Sequence, residues 1–246
     1  MASMRRAYRR DMICATQRFQ EQRFVNFPKM SVKPSKAMVL AAGLGVRMRP
    51  LTDRMPKPLV RVAGRALLDH VLDKLGDAGV GEAVVNVHYL PDQIIDHTAA
   101  RVRPRVIISD ERDVVLGTGG GVVKALPLLG AAPFLHLNAD TVWIDGVRPN
   151  LIRLAESFDA ARMDALLLLA ATSSSVGYAG RGDFAMAPDG RLRRRPEREV
   201  APFIYAGVAI LIVAAAHGRP VLVEIFEELE EERHLLPIVE DLDQRP

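Results

Sequence analysis

Three cations crowd one short stretch. Arg47 and Arg49 follow the turn Gly43-Leu-Gly45, and Lys57 sits a little further on between Pro56 and Pro58. Backbone N–H groups in a glycine turn point outward and hold anions, and glycine lets a phosphate come close. The chemistry suited to this combination is an enzyme's grip on a nucleotide's phosphates. The plainer alternative is a tight turn with surface arginines and a surface lysine. A second candidate is Asp140, two residues past Asn138. A carboxylate just beyond a strand end can present hard oxygen to Mg²⁺, or it can cap the following turn. A third is the run Leu116-Gly-Thr118-Gly119-Gly120-Gly121. Its backbone can approach a ligand closely, or it is a flexible loop entering a helix. The first turn is not a Rossmann GxGxxG, whose second half is absent, nor a Walker A loop, which ends in Gly-Lys-Ser/Thr.

The elements that must position these residues alternate along the chain. Ala37–Ala42 reads as a strand running into the glycine turn, and Leu59–Gly64 as a short connector. Arg65–Ala78 carries Leu67, Leu68, Val71, Leu72 and Leu75 at helical spacing and stops near Gly79. Glu82–His88 is a strand. Pro91–Ala100 opens with proline and acid, as a helix does. Arg105–Ser109 is a strand, Thr118–Leu126 a helix, Pro133–Asn138 a strand, Val147–Ala160 a helix and Ala165–Ala171 a strand. This rhythm predicts βαβ units and a largely parallel sheet. Ligands of such sheets sit at the carboxyl ends of the strands. The glycine turn, Thr118 and Asp140 all fall there. After Ser173 the texture changes. Asp183–Ala187 and Phe203–Val213 read as strands joined by a basic segment, an added β region that covers the site. Leu222–Leu235 reads as an acidic helix with a solvated face.

Hydrophobic residues make up 49% of the 246 positions and charged ones 26%, which fits a globular chain with a sizeable core. Cys14 is the single cysteine, so neither an internal disulfide framework nor a cysteine-based zinc site is available. No apolar run approaches the roughly 20 residues that span a bilayer. The expectation is therefore a cytoplasmic protein with no membrane partner. Much of the basic excess behind the +3 charge lies in the first 36 residues and in Arg191–Arg198. A basic surface attracts nucleotides and sugar phosphates as well as it attracts nucleic acid, and no nucleic-acid partner is expected. Such a partner would instead show steeply salt-dependent binding. His88, His97, His136 and His217 lack metal-ligand spacing and read as structural. Nothing in the pattern specifies an oligomeric state.

Leu40-Ala41-Ala42-Gly43-x-Gly45-x-Arg47-Met-Arg-Pro-Leu-Thr, with Pro-Lys57-Pro-Leu-Val, resembles the signature of the sugar-1-phosphate nucleotidyltransferases. The resemblance continues through Leu116–Gly121, Asn138-Ala-Asp140, Gly182-Asp183-Phe and Tyr205-Ala-Gly207-Val, covering roughly residues 36–212. The run Thr-Gly-Gly-Gly-x-x-Lys-Ala-Leu-Pro and the segment Gly-Arg-Gly-Asp-Phe look most like the N-acetylmuramate 1-phosphate uridylyltransferase branch, with mannose-1-phosphate guanylyltransferases next. The resemblance implies an α/β, three-layer Rossmann-like fold with a mixed, mainly parallel central sheet and a small added β region. It implies that a sugar 1-phosphate attacks the α-phosphorus of a nucleoside triphosphate, probed first as UTP, with Mg²⁺ as cofactor and pyrophosphate as leaving group. This belongs to nucleotide-sugar biosynthesis and, for the uridylyltransferase branch, peptidoglycan recycling. Arg47 and Lys57 are then catalytic, Asp140 binds metal, and Leu40, Ala41, Ala42, Gly43, Gly45, Glu111, Thr118, Gly119 and Gly120 hold the nucleotide. Glu111 would accept the N3–H of uracil. Asn138, Asp183, Tyr205 and Gly207 line the sugar pocket; for the last three, ordinary β packing is the alternative.

Two segments fall outside this domain. Residues 1–35 form a basic N-terminal extension, expected to be a disordered arm, a start-site artefact ahead of Met30, or a transit peptide. Residues 213–246 form a divergent acidic tail. The family's late segment carries Trp, then Asp or His, then Val-Gly-Thr, and supplies a second metal ligand where its acidic residue is present. The tail here does not follow that pattern, so a frameshift or truncation is the expectation, with severely lowered activity. The competing reading is a degenerate, non-catalytic nucleotide-binding protein of the same fold.

Overall fold

The computed structural model describes residues 12–14, 32–175 and 178–212. Its strands are β1 (Met12–Cys14), β2 (Lys36–Leu40), β3 (Arg61–Val62), β4 (Arg65–Ala66), β5 (Glu82–Val87), β6 (Arg105–Asp110), β7 (Phe134–Asn138), β8 (Ala165–Ala171), β9 (Phe184–Met186), β10 (Leu192–Arg194) and β11 (Phe203–Leu211). The α-helices are α1 (Leu67–Asp77), α2 (Pro91–Thr98), α3 (Gly117–Leu129) and α4 (Asn150–Ser157).

The main sheet runs in the order β1-β8-β11-β7-β2-β5-β6, with β9 attached to β11 and β10 to β9. Pairing is parallel from β7 through β2 and β5 to β6, and β11 lies antiparallel between β7 and β8. The sheet is therefore mixed and mainly parallel. Period-2 alternation decides which side each residue faces. Ala37, Val39, Ala83, Val85, Leu135 and Leu137 pack with α1, α2 and α4 on one side. Met38, Val84 and Phe134 pack on the other with Val122, Ala125 and Leu129 of α3 and with Phe184 of β9. Both faces of the central strands are buried, which is why they read as continuous apolar runs.

Several boundaries differ from the sequence expectation. The Leu59–Gly64 connector holds the first strand of a two-stranded hairpin, β3–β4, turned by Ala63 and Gly64 at positive φ. The helix expected over Val147–Ala160 begins only at Asn150, because Pro149 is its N-cap and the Asp145 carboxylate accepts the Asn150 N–H at 2.9 Å. The basic segment between the two late strands contains β10. Phe203–Leu211 is part of the main sheet, and only the β9–β10 hairpin is an addition to it. Within the N-terminal 35 residues, Met12–Cys14 pairs in parallel with Ala165–Leu167, and the Ser35 carbonyl accepts from the N–H groups of Gly81 and Glu82. The acidic helix expected at Leu222–Leu235, His217 and the divergent tail lie outside the described residues. Among the described residues no helix is long and apolar enough to cross a membrane.

Candidate active site

The carboxyl ends of β2, β5, β6 and β7 lie side by side, and a cleft of ≈ 210 Å³, open to solvent, forms over them. Its walls come from the loop Leu40–Gly43, from Lys57 and Pro58, from Asn86 and Glu111, from Val115, Gly117 and Thr118, and from Asn138, Ala139 and Asp140.

The glycine turn is shaped from within. Gly45 adopts φ 65°, a conformation costly for other residues. A Cβ there would stand 3.1 Å from Thr52 Cγ2 and 3.2 Å from Lys57 Cβ. The buried Thr52 hydroxyl donates to the Gly45 carbonyl at 2.8 Å. This packing ties the turn to the base of Lys57. Pro56 and Pro58 bracket Lys57 in a single 3-10 turn, with Pro58 buried. The Lys57 ammonium donates to Asp140 Oδ2, so the cation from one loop and the carboxylate from another meet in the cleft. Both side chains remain partly exposed, at 25% and 36%, so the pair is within reach of a ligand.

Asp140 stands two residues beyond β7, and its loop is held from below. Lys74 donates to Asp145 Oδ2 at 2.5 Å and lies over the Trp143 ring, while Trp143 donates to Asp145 Oδ1 at 3.0 Å. The Lys74, Trp143 and Asn150 donors keep the Asp145 carboxyl below the usual carboxylate range despite its burial.

Glu111 is the buried carboxyl of the site. It follows β6 directly, is 1% exposed, and its Oε1 accepts from Asn86 Nδ2 at 3.0 Å. Oε2 has no hydrogen-bond partner among the described residues. Burial pushes the carboxyl above its ordinary range, against the opposing pull of the Asn86 amide. Asn86 in turn accepts the Ala41 N–H at 2.7 Å. Sequence reasoning missed Asn86; a lone amide inside an otherwise apolar strand was the available signal.

Other expected residues lie elsewhere. Arg47 is exposed on the 3-10 turn Val46–Met48 and does not line the cleft. Gly45, Gly119 and Gly120 support the walls without lining them. Tyr205, Asp183 and Gly207 are also outside the lining, and packing explains each. Tyr205 is buried with the core on the α3 face, its hydroxyl 3.3 Å from His136 Nδ1. Asp183 Oδ2 accepts the Tyr205 N–H at 2.8 Å. Gly207, at φ 72°, lies where the β11–β8 register shifts, and a Cβ there would reach within 3.0 Å of Asn138 Nδ2. Tyr205 and Gly207 thus lie in the irregular stretch of β11 that backs Asn138, and Asp183 braces it. His136 is fully buried, and desolvation lowers it to about 3, so its ring stays neutral. Among the described residues no group of three or more His, Cys, Asp or Glu side chains forms a metal cage.

Residues 37–180 match the MobA-like NTP transferase domain. The chain is 49% identical, over 74% of its length and 76% of the other's, to N-acetylmuramate alpha-1-phosphate uridylyltransferase of Caulobacter vibrioides. It is 36% identical to mannose-1-phosphate guanylyltransferase catalytic subunit beta of Drosophila melanogaster, over 44% of this chain and 30% of that one. The fold is shared with UDP-glucose pyrophosphorylase from Acinetobacter baumanii, at a TM-score of 0.62 and 20% identity over 80% of this chain and 83% of that one. Since the family match spans more than half of the residues and takes in the cleft from the glycine turn to the loop after Asp140, the chain belongs to the MobA-like NTP transferases and is a nucleotidyltransferase.

Proposed function

We propose that the chain transfers a uridylyl group from UTP to N-acetylmuramic acid 1-phosphate. A phosphate oxygen of the sugar phosphate attacks the α-phosphorus, the bond to the β-phosphate oxygen breaks, and pyrophosphate leaves. The observation that carries the reading is the Lys57–Asp140 pair in a cleft walled by the glycine turn, on a chain 49% identical to a uridylyltransferase of that specificity.

Two anions must approach each other, so positioning and charge neutralisation supply most of the catalysis. Lys57 leaves Asp140 for the phosphates and screens their repulsion. The exposed backbone of Gly43, where a Cβ would touch nothing within 4 Å, lets a phosphate settle on the turn. Arg47 has no ion pair among the described residues and is available to the part of the triphosphate that projects from the cleft.

A lone carboxylate with a reachable oxygen fits Mg²⁺, which usually takes one or two carboxylates and completes its shell with waters and substrate phosphates. Asp140 would hold it, and the ion would supply charge stabilisation on the reacting phosphates. Glu111 accepts the N3–H of uracil, and Asn138 contacts the sugar.

Pyrophosphate release with UTP, Mg²⁺ and N-acetylmuramic acid 1-phosphate tests the proposal. The expected result is release that requires all three. Faster release with GTP and mannose 1-phosphate would replace the substrates while keeping the reaction. UTP binding without any release from any pair would overturn it.

A further inference from the structure

Glu111 does not face the cleft as an ordinary two-oxygen acceptor. Asn86 Nδ2 occupies Oε1 at 3.0 Å, and Oε2 is buried without a hydrogen-bond partner among the described residues. The direction of the Asn86 amide is settled by its other end. The Ala41 N–H, a donor, lies 2.7 Å from Asn86 Oδ1, so the NH₂ group must turn to Glu111. Room for this pair exists because Gly121 of α3 has no side chain; a Cβ there would stand 2.8 Å from Asn86 Nδ2 and 2.9 Å from Glu111 Oε1. The Glu111 backbone is fixed as well, with its N–H on the Val87 carbonyl at 2.8 Å and its carbonyl 2.7 Å from His88 Nδ1. Glu111, Asn86 and Thr118 all belong to the cleft wall.

We infer that Asn86 is a positioning residue that turns Oε1 of Glu111 toward its own amide, leaves Oε2 as the unpartnered oxygen, and thereby sets the base preference toward a pyrimidine carrying one imide N–H. This deepens the proposed uridylyl transfer and rests on it. Uracil presents one N–H between two carbonyls, which one carboxylate oxygen matches. Guanine presents N1–H and N2–H side by side and is best met by both oxygens of one carboxylate, whereas here Oε1 is turned toward the Asn86 amide. Cytosine presents an acceptor at N3, which a carboxylate oxygen repels. A site built to accept a hydrogen bond discriminates strongly against a ligand that lacks the donor, because the buried acceptor is left unpaired. The Ala41 link adds a second consequence. Ala41 belongs to the glycine-turn wall, so the residue that selects the base also anchors the loop that grips the phosphates.

Two substitutions separate selection from mere support. In Glu111→Gln, Asn86 still donates and must meet the new side-chain carbonyl, so the amide NH₂ faces the ligand instead of an acceptor. UTP binding then falls and CTP binding gains relative to it, a shift in the UTP-to-CTP ratio of about 10- to 100-fold. In Asn86→Ala, both Glu111 oxygens become free, and GTP gains on UTP by about tenfold or more. The readout is equilibrium binding of UTP, CTP and GTP without sugar phosphate, together with kcat/KM for each, on the full chain after circular dichroism shows it folded. A purely structural role moves all three nucleotides together. Equal losses for all three in both variants, or ratios unchanged from wild type, overturn the inference while leaving the reaction intact. A wild-type chain that binds none of the three overturns the reaction and the base preference together.

Discussion

Replacing Gly121 by alanine sets two opposing effects against each other. Alanine is the better helix residue, and relieving glycine's backbone entropy inside a helix is worth roughly 0.5–1 kcal/mol. The new methyl, however, would sit 2.8 Å from Asn86 Nδ2 and 2.9 Å from Glu111 Oε1, distances that force those atoms to move. Overpacking of this kind costs about 1–3 kcal/mol. If the amide–carboxyl bond breaks, a buried polar group adds about another 1–3 kcal/mol. The collision therefore outweighs the helix gain, and a net loss of about 1–3 kcal/mol is expected, with Tm falling by about 2–4 °C per kcal/mol. Gly76 in α1 is the internal control. Its Cβ would meet nothing closer than the Arg103 carbonyl oxygen at 3.4 Å, so Gly76→Ala is expected to stabilise by up to about 1 kcal/mol. Urea titrations of both variants, paired with UTP binding, decide the matter. Gly121→Ala should lose stability and UTP affinity together. If it is as stable as Gly76→Ala and binds UTP normally, the tight packing of Gly121 against Asn86 and Glu111 is wrong.

His136 and Glu111 give opposite pH signatures. The buried His136 ring holds its proton only below about 3 against 6.5 when unfolded, so the unfolded chain binds more protons in that window. Stability should fall as pH drops from 6.5, by up to about 1.4 kcal/mol per unit, and His136→Leu should flatten that slope in melts taken between pH 5 and 7.5. For Glu111 burial raises the folded carboxyl above its ordinary 4.5, so its contribution is best below 4.5 and is lost as pH rises through the folded value. Glu111→Gln is expected to raise Tm at neutral pH while impairing UTP use, a trade measurable by calorimetry and kinetics on one preparation. Lys57→Ala should lower kcat by about 10²–10³ and leave the urea midpoint nearly unchanged, since a partly exposed ion pair contributes little to stability.

Much of this was legible in the sequence because burial on both sheet faces leaves unmistakable apolar runs. Val39, Val84, Val85 and Leu135 marked their strands, and Leu68, Val71, Leu72 and Leu75 marked α1. The carboxyl-end rule gathered the glycine turn, Thr118 and Asp140, and Gly43, Thr118 and Asp140 line the cleft together with Glu111 and Asn138, which only the family resemblance points to. What could not be read depends on contacts between distant segments. The insertion of β11 between β7 and β8 is a pairing choice with no local signature. For the same reason Tyr205, Asp183 and Gly207 could be read either as pocket residues or as β packing; they lie outside the cleft lining, at or bonded to the β11–β8 register shift. Asn86 was hidden because its partners, Ala41 and Glu111, lie 45 and 25 positions away. The β3–β4 hairpin was too short to show alternation, and only its Ala63-Gly64 turn distinguishes it.

The most direct test of the central claim compares pyrophosphate release by the wild-type chain and by Asp140→Asn, with UTP, N-acetylmuramic acid 1-phosphate and a Mg²⁺ titration. The account predicts Mg²⁺-dependent release by wild type and a loss of about 10²-fold or more in the variant, with the variant still folded. A wild-type chain that binds UTP yet releases no pyrophosphate, or an Asp140→Asn chain with undiminished rate and Mg²⁺ dependence, would contradict it.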